Sequence, residues 1–335
     1  MSPKGQTARL LIGVLLLTLA SFTFSSCGSG GVDLAGGGVS GTGVSTGAIS
    51  GFGSVFMNGM EFFTDSNVAP GFVTMKTFMG MDNSSMMDSA LYRVGMVVTI
   101  HHGPNDNNAQ QIEYQNNLQG RIAAMNSGAE NTVTILGQTV VVGSFDGLGL
   151  NEIVEVSGFV DSGGRIRASY IAMVPCSMMM MMMCTASEYE VKGYVSGLSS
   201  SGFQLGMLPG GTGTTVSVSF APAVGAGLAE GMYVQVVTTN SQPGPGGITA
   251  THINKLTPRT VFPEKAMADL EGLVTAPPSG SGTVFSFAVE GKRVQTDGAT
   301  QYVGGISANL QPDVRLQVQG TENGGVLSAA KIIFR

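Results

Sequence analysis

Asn58-Gly59 is the feature that most constrains this fold. It stands between two runs of strand-forming residues, Val55-Phe56-Met57 and Met60-Glu61-Phe62-Phe63. Asn-Gly suits the two φ > 0 positions of a type I′ hairpin turn. The surrounding stretch, residues 47–64, recurs in weaker form three more times, each time followed by a similar second half. The chain is therefore expected to be a tandem array of small β-units.

The repeats divide the chain as follows. The first unit is expected over residues 47–117, the second over 118–175, the third over 189–257 and the fourth over 268–335. A Gly/Ser-rich tether, residues 28–46, should precede them. A Met/Cys-rich loop, 176–188, separates the second and third units, and a linker, 258–267, separates the third and fourth. The Pro-rich part of that linker, 258–263, leaves the fourth unit free to move as a separate body. The clearest alternation is Val284-Phe285-Ser286-Phe287-Ala288-Val289, followed by Glu290-Gly291-Lys292-Arg293-Val294. Such a pattern puts one strand face in a core and the other in water.

Each unit holds five or six short strands. A small antiparallel sheet removes its exposed edges by curling into a barrel. Glycines within strands suit the bends and bulges that closure needs. The fold class expected is all-β: tandem small antiparallel β-barrels, OB-like or SH3-like. A β-sandwich built from pairs of units is the alternative. Composition agrees, because 50 glycines and only 11% charged residues argue for a turn-rich β protein. With 43% hydrophobic residues in alternation, the chain as a whole is not of disordered type.

Residues 1–27 read as a targeting segment. Lys4 and Arg9 form a positive start, and residues 10–20 an apolar stretch too short to span a bilayer. Phe24-Ser25-Ser26-Cys27 resembles the lipobox of bacterial lipoproteins, with Phe24 where Leu is usual. The resemblance implies that Cys27 carries lipid, and Gly28 after it resembles outer-membrane sorting. An ordinary secretory signal cut nearby is the alternative. Loss of Lys4 and Arg9 would leave 14 basic residues, from 16, against 22 acidic ones, a net charge of about −8. An acidic array is a poor phosphate binder, so nucleic acid is not an expected partner.

The residues Ile49-Ser50-Gly51-Phe52-Gly53-Ser54-Val55-Phe56-Met57-Asn58-Gly59-Met60-Glu61-Phe62, with Val94-Gly95-Met96-Val97-Val98, carry a family resemblance. The sequence resembles bacterial lipoproteins with tandem copies of the domain of unknown function 5666. That family usually has Val where Met57 and Met60 stand here. The first unit resembles it best. The resemblance implies exported β-barrel modules and brings no activity with it.

Chemistry is harder to find. A triad needs a base within reach of a nucleophile and an orienting acid. The chain has only His101, His102 and His252. His252 reads as a solvent-facing strand residue. His101 and His102 are neighbours at a strand end and point to opposite faces, so they cannot easily share a metal. No phosphate loop, zinc-type Cys/His spacing or dinucleotide fingerprint occurs. No catalytic residue is assigned, and an enzyme is not expected.

The odd feature is Cys176 and Cys184 flanking Ser177 and a run of six methionines: Met178, Met179, Met180, Met181, Met182 and Met183. Thioether and thiolate are soft ligands suited to copper in its Cu(I) state. The first unit adds Met75, Met79, Met81, Met86 and Met87, with His101 and His102 following. Clustered Met with nearby His resembles Met-rich copper-handling segments of the bacterial envelope. An oxidising compartment instead favours a Cys176–Cys184 disulfide, which would remove both thiolates from a metal site. Exposed methionines can also serve as oxidant targets or as adaptable apolar contacts.

The functional expectation is a non-enzymatic cell-envelope lipoprotein of the outer membrane. It acts as a binding or scaffolding array whose partner is an envelope protein or polysaccharide, held to the membrane by its lipid. The alternative is an envelope copper-binding or oxidant-buffering protein using its Met/Cys-rich loops.

Overall fold

The computed structural model describes residues 43–104, 106–174, 188–240 and 247–335, and nearly all regular structure there is strand. The first unit contains β1 (Gly43–Phe52), β2 (Val55–Met57), β3 (Met60–Phe62), β4 (Met75–Phe78), β5 (Met81–Asp82), β6 (Val97–His102) and β7 (Ala109–Tyr114). The second contains β8 (Leu118–Asn126), β9 (Asn131–Ile135), β10 (Gln138–Val142), β11 (Ile153–Val160) and β12 (Ile166–Met173). The third contains β13 (Tyr189–Ser196), β14 (Gly202–Gly206), β15 (Thr215–Phe220), β16 (Tyr233–Thr238), β17 (Ile248–Ala250) and β18 (His252–Lys255). The fourth contains β19 (Met267–Ser281), β20 (Val284–Val289), β21 (Lys292–Gln295), β22 (Gln301–Val303), β23 (Arg315–Asn323) and β24 (Val326–Phe334).

One strand circuit underlies all of this. In the second unit β8 pairs with β9, β9 with β10, β10 in parallel with β12, β12 with β11, and β11 back with β8. The fourth unit repeats the circuit with β19, β20, β21, β24 and β23. Both are closed five-stranded barrels. The order is that of a Greek-key barrel of OB type. The first unit follows it through β1, β2, β3, β7 and β6, with β3 and β7 joined by one parallel bridge, Phe63 to Asn108. The third unit follows it with a fifth strand split into β17 and β18, paired to β15 and β16 respectively.

The turn between the second and third strands is set locally. Asn58 and Gly59 have φ of 57° and 76°, the values a type I′ turn requires. Leu136-Gly137 and Glu290-Gly291 adopt the same pair of positive φ values at the equivalent turns. The residue at the tip then folds back over a glycine of the first strand. A Cβ at Gly47 would lie 2.2 Å from Asn58 Oδ1, and one at Gly272 would lie 2.4 Å from Glu290 Cγ. A side chain at either position would force the tip residue to shift.

The units are not beads on a string. β1 pairs in parallel with β19, from Gly43 with Met267 to Thr46 with Leu270. β8 pairs with β13 through Leu118–Val191 and Gln119–Glu190. The first and fourth units thus share one sheet, and the second and third share another. The second and third units also share a single apolar core, from Leu118 and Ile122 to Val234 and Ile248. Val44 of the first unit lies in the core of the fourth, beside Leu270 and Val318. A small cluster of Ala48, Val97, Phe159 and Leu273 joins the first, second and fourth units.

Two expectations change here. Residues 43–46 fall in the stretch read as tether, yet they form the start of β1, because the free side of β19 offers them a partner. The linker does not free the fourth unit, since Phe262 and Ala266 are buried in that unit's core. Among the described residues no helix is long and apolar enough to cross a membrane.

Gln138 is the one inward position of β10 that is not apolar; it alternates with Val140 and Val142. It is fully buried, and neither amide atom has a hydrogen-bond partner. An unpaired buried amide costs about 1–3 kcal/mol. Gln138→Met, similar in shape and apolar, should therefore stabilise the protein by about 1–3 kcal/mol in denaturant unfolding. A destabilised variant would mean that a buried water already satisfies the amide.

Candidate binding groove at the module junction

The linker is the place where all four units meet. Val261 N–H bonds back to Pro258 C=O at 3.0 Å, turning the chain inward. Arg259 then reaches three units at once. Its Nη2 donates to Gly158 C=O of the second unit at 2.6 Å and to Glu290 Oε2 of the fourth at 3.1 Å. Its own carbonyl accepts from Thr46 Oγ1 of the first unit at 3.3 Å. Thr260, the next residue, hydrogen-bonds the Tyr194 hydroxyl of the third unit.

Glu290 is the anionic counterpart. It sits at the hairpin tip with φ of 51°, its side chain lying over Gly272 of its own barrel and its carboxylate reaching the second unit and the linker. Oε1 accepts from Val160 N–H at 2.9 Å and from Leu273 N–H at 3.4 Å. Burial pushes its carboxyl up to about 7, outweighing the Arg259 guanidinium and the two N–H donors that favour the anion. A second buried acid, Asp269, lies on the seam between the first and fourth units. It accepts from Asn58 Nδ2 at 3.0 Å and from Gln317 Nε2 at 2.6 Å. Burial pushes it up to about 6.

Around this node the structure leaves two spaces. One is a cavity of about 30 Å³, room for about one water, lined by Asn117, Lys192, Tyr233, Arg259 and Glu290 among others. Lys192 is held beside it by Asn116 Oδ1 at 2.5 Å and Glu190 Oε1 at 2.9 Å. The other is an open groove of about 610 Å³ that shares Tyr194, Pro258 and Thr260 with the cavity. Val261, Glu264, Lys292 and Arg293 form much of its remaining wall. Tyr194 is steadied by Tyr233, with ring centres 4.9 Å apart and planes at 56°. Burial raises both phenols, so they stay protonated donors near neutral pH. The groove thus offers an aromatic ring, hydroxyls and charges of both signs on fixed supports, a set suited to binding a polar ligand.

The residues singled out from the sequence lie elsewhere. Cys27, Cys176, Cys184 and Met178–Met183 lie outside the described residues, and with them the expected lipidation, disulfide and copper sites. His252 is exposed on β18. His102 and His101 part company at a bulge in β6. The His102 ring contacts Phe62 at 5.3 Å and Ser45 Oγ at 3.1 Å, and burial lowers its pKa. His101 Nε2 stands 3.7 Å from Glu113. Among the described residues no group of three or more His, Cys, Asp or Glu is placed to hold a metal.

Sequence reading missed Arg259, Glu290 and Tyr194. The one local signal was Glu290 itself. A glutamate before Gly291 occupies a turn position that Asn or Asp fills more comfortably, which marks a side chain wanted for something other than the turn.

The sequence profile described as Domain of unknown function (DUF5666) matches residues 119–172 and 271–333. These segments are the two closed barrels. Residues 49–62, which carry the resemblance noted from the sequence, fall outside both. No curated protein matches the chain. Among solved structures, "drosophila Unr CSD456" aligns over 65% of this chain and 96% of its own, at 12% identity and a TM-score of 0.20.

Glu290 and Asp269 both have folded-state values above their ordinary 4.5 and 3.8. The fold therefore prefers their neutral forms, and the stability they add is lost as pH rises through about 6 and about 7. Stability should fall between about pH 4 and pH 7, from the unfolded-chain values up to the folded ones. Glu290→Gln should flatten that slope while leaving the part owed to Asp269, as read from unfolding midpoints against pH. An unchanged slope in the variant would contradict this.

Proposed function

Taking the chain as one that carries tandem DUF5666 domains, we propose that it is a non-enzymatic binding or scaffolding protein of the cell envelope. Lipid on Cys27 holds it to the outer membrane, and the junction groove takes an envelope polysaccharide or a segment of an envelope protein. The observation that carries this reading is the groove itself, an open space of about 610 Å³ walled by parts of the third unit, the linker and the fourth unit. Its charged lining is balanced: Glu264 and Glu322 face Lys292 and Arg293. A neutral or zwitterionic polar ligand suits such a wall better than a polyanion. Barrels of OB type often bind extended polymers along strand faces and loops, a fold-level analogy that supports the reading. The net charge of −6 argues against nucleic acid.

Intact mass of the protein from its own envelope fraction should show lipid on Cys27, and Cys27→Ala should release it from membranes. Titration with neutral envelope oligosaccharides should give saturable binding. Tyr194→Ala and Arg293→Ala should each weaken that binding by about tenfold, or about 1.4 kcal/mol. Binding indifferent to both substitutions would remove the groove from the account. Turnover of an envelope substrate would replace the binding reading with an enzymatic one.

A further inference from the structure

The insertion between β3 and β6 carries a second feature that the groove does not use. It is fastened from beneath by polar groups. Lys76 is fully buried, and its ammonium donates to Asp65 Oδ2 and to Met86 C=O at 2.7 Å, and lies 3.0 Å from Asp88 Oδ1. Thr64 Oγ1 donates to Asp88 Oδ2 at 2.5 Å. Thr74 Oγ1 donates to Ala109 C=O at 3.0 Å, and its N–H donates to Asp65 Oδ1 at 3.0 Å. Phe78 adds an apolar contact, its ring centre 4.8 Å from that of Tyr114.

The thioethers are left out of that fastening. Met75, Met81, Met86 and Met87 are 53, 50, 41 and 71% exposed. Alternation along β4 explains part of this, since Met75 points out where Lys76 points in. By contrast, Met57 and Met96 in the same unit's core are 0 and 2% exposed. Of the methionines in the insertion, only Met79 packs against that core. The unit therefore holds two populations of methionine, one that supports the barrel and one that supports nothing.

We propose that Met75, Met81, Met86 and Met87 form a sacrificial oxidation site for hypohalous acids. The thioether sulfur attacks the halogen of HOX and releases hydroxide. Water then adds to the halosulfonium sulfur, and halide leaves with loss of protons. The net change is thioether plus HOX giving sulfoxide, a proton and halide; sulfur gives up two electrons and the halogen gains them. Sulfoxide makes each side chain polar, which disrupts packing where methionine is buried. Here the pins are an ammonium, carboxylates, hydroxyls and a backbone carbonyl, so the barrel keeps its fold while the surface is spent. This site is independent of the groove.

The test uses the whole protein and hypochlorous acid added below one equivalent per methionine, followed by peptide mass mapping and thermal unfolding. The four positions should carry at least about tenfold more sulfoxide than Met57 and Met96. Met173, exposed at the end of β12, should react alongside them. The unfolding midpoint should move by less than about 3 °C, and methionine sulfoxide reductase should restore the original masses. In a second titration with hypochlorous acid in excess over methionine, replacing all four by Leu should reduce oxidant consumption by one equivalent per replaced residue. Sulfoxide spread evenly over buried and exposed positions, a larger midpoint shift, or unchanged consumption by the Leu variant would each overturn the proposal.

Discussion

The first strand of each unit is long and only half provided for by its own barrel, and the rest of the structure depends on that. In the fourth unit residues 267–273 of β19 pair with β23, while pairing with β20 begins only at Val274. The early half of the strand therefore has one side with unpaired backbone groups. β1 has the same shortage, with β6 beside its early half and β2 beside its end. Unpaired strand edges are costly when buried and hazardous when exposed. Each unit meets the need with another unit's first strand: β1 lies beside β19, and β8 beside β13.

That solution fixes everything at the centre. Once the pairs are formed, the hairpin tips at Asn58 and Glu290 arrive at shared seams with polar side chains. Asn58 meets Asp269 across one seam, and Glu290 meets Val160 and Arg259 across the other. Buried carboxyls of this kind are poor sources of stability, because desolvation offsets the attraction to their partners. They act as register marks, since sliding either seam would break the bonds from Asn58 to Asp269 and from Val160 to Glu290. The groove is a by-product of the same packing, held in shape by the linker that runs through it.

Much of the local structure was legible in the chain. Asn58-Gly59 announced its turn because the required φ values are open to few residues. The alternation of residues 284–289 announced a half-buried strand, and the barrel followed from many short strands rich in glycine. The assembly was not legible. Gly43-Val44-Ser45-Thr46 has the composition of a tether, and its role depends on Met267–Leu270, more than two hundred positions away. Periodicity reports which face of a strand is buried and says nothing about which distant strand lies beside it. Lys76 shows the same limit. A lysine on a short strand reads as solvent-facing until Asp65 and Asp88 are brought beneath it by the fold. The Met/Cys run drew the eye because it is unusual, but unusual composition carries no geometry.

Hydrogen exchange on the native full-length protein, read at peptide resolution, tests the central claim most directly. If the first strands join the units into one body, amides of residues 43–48 and 267–272 should be protected to the level of global unfolding. They should also lose that protection together when either segment is weakened. Exchange of residues 43–46 as fast as that of the exposed hairpin end at 279–284, with 267–272 remaining protected, would contradict the account and return the chain to independent barrels on a string.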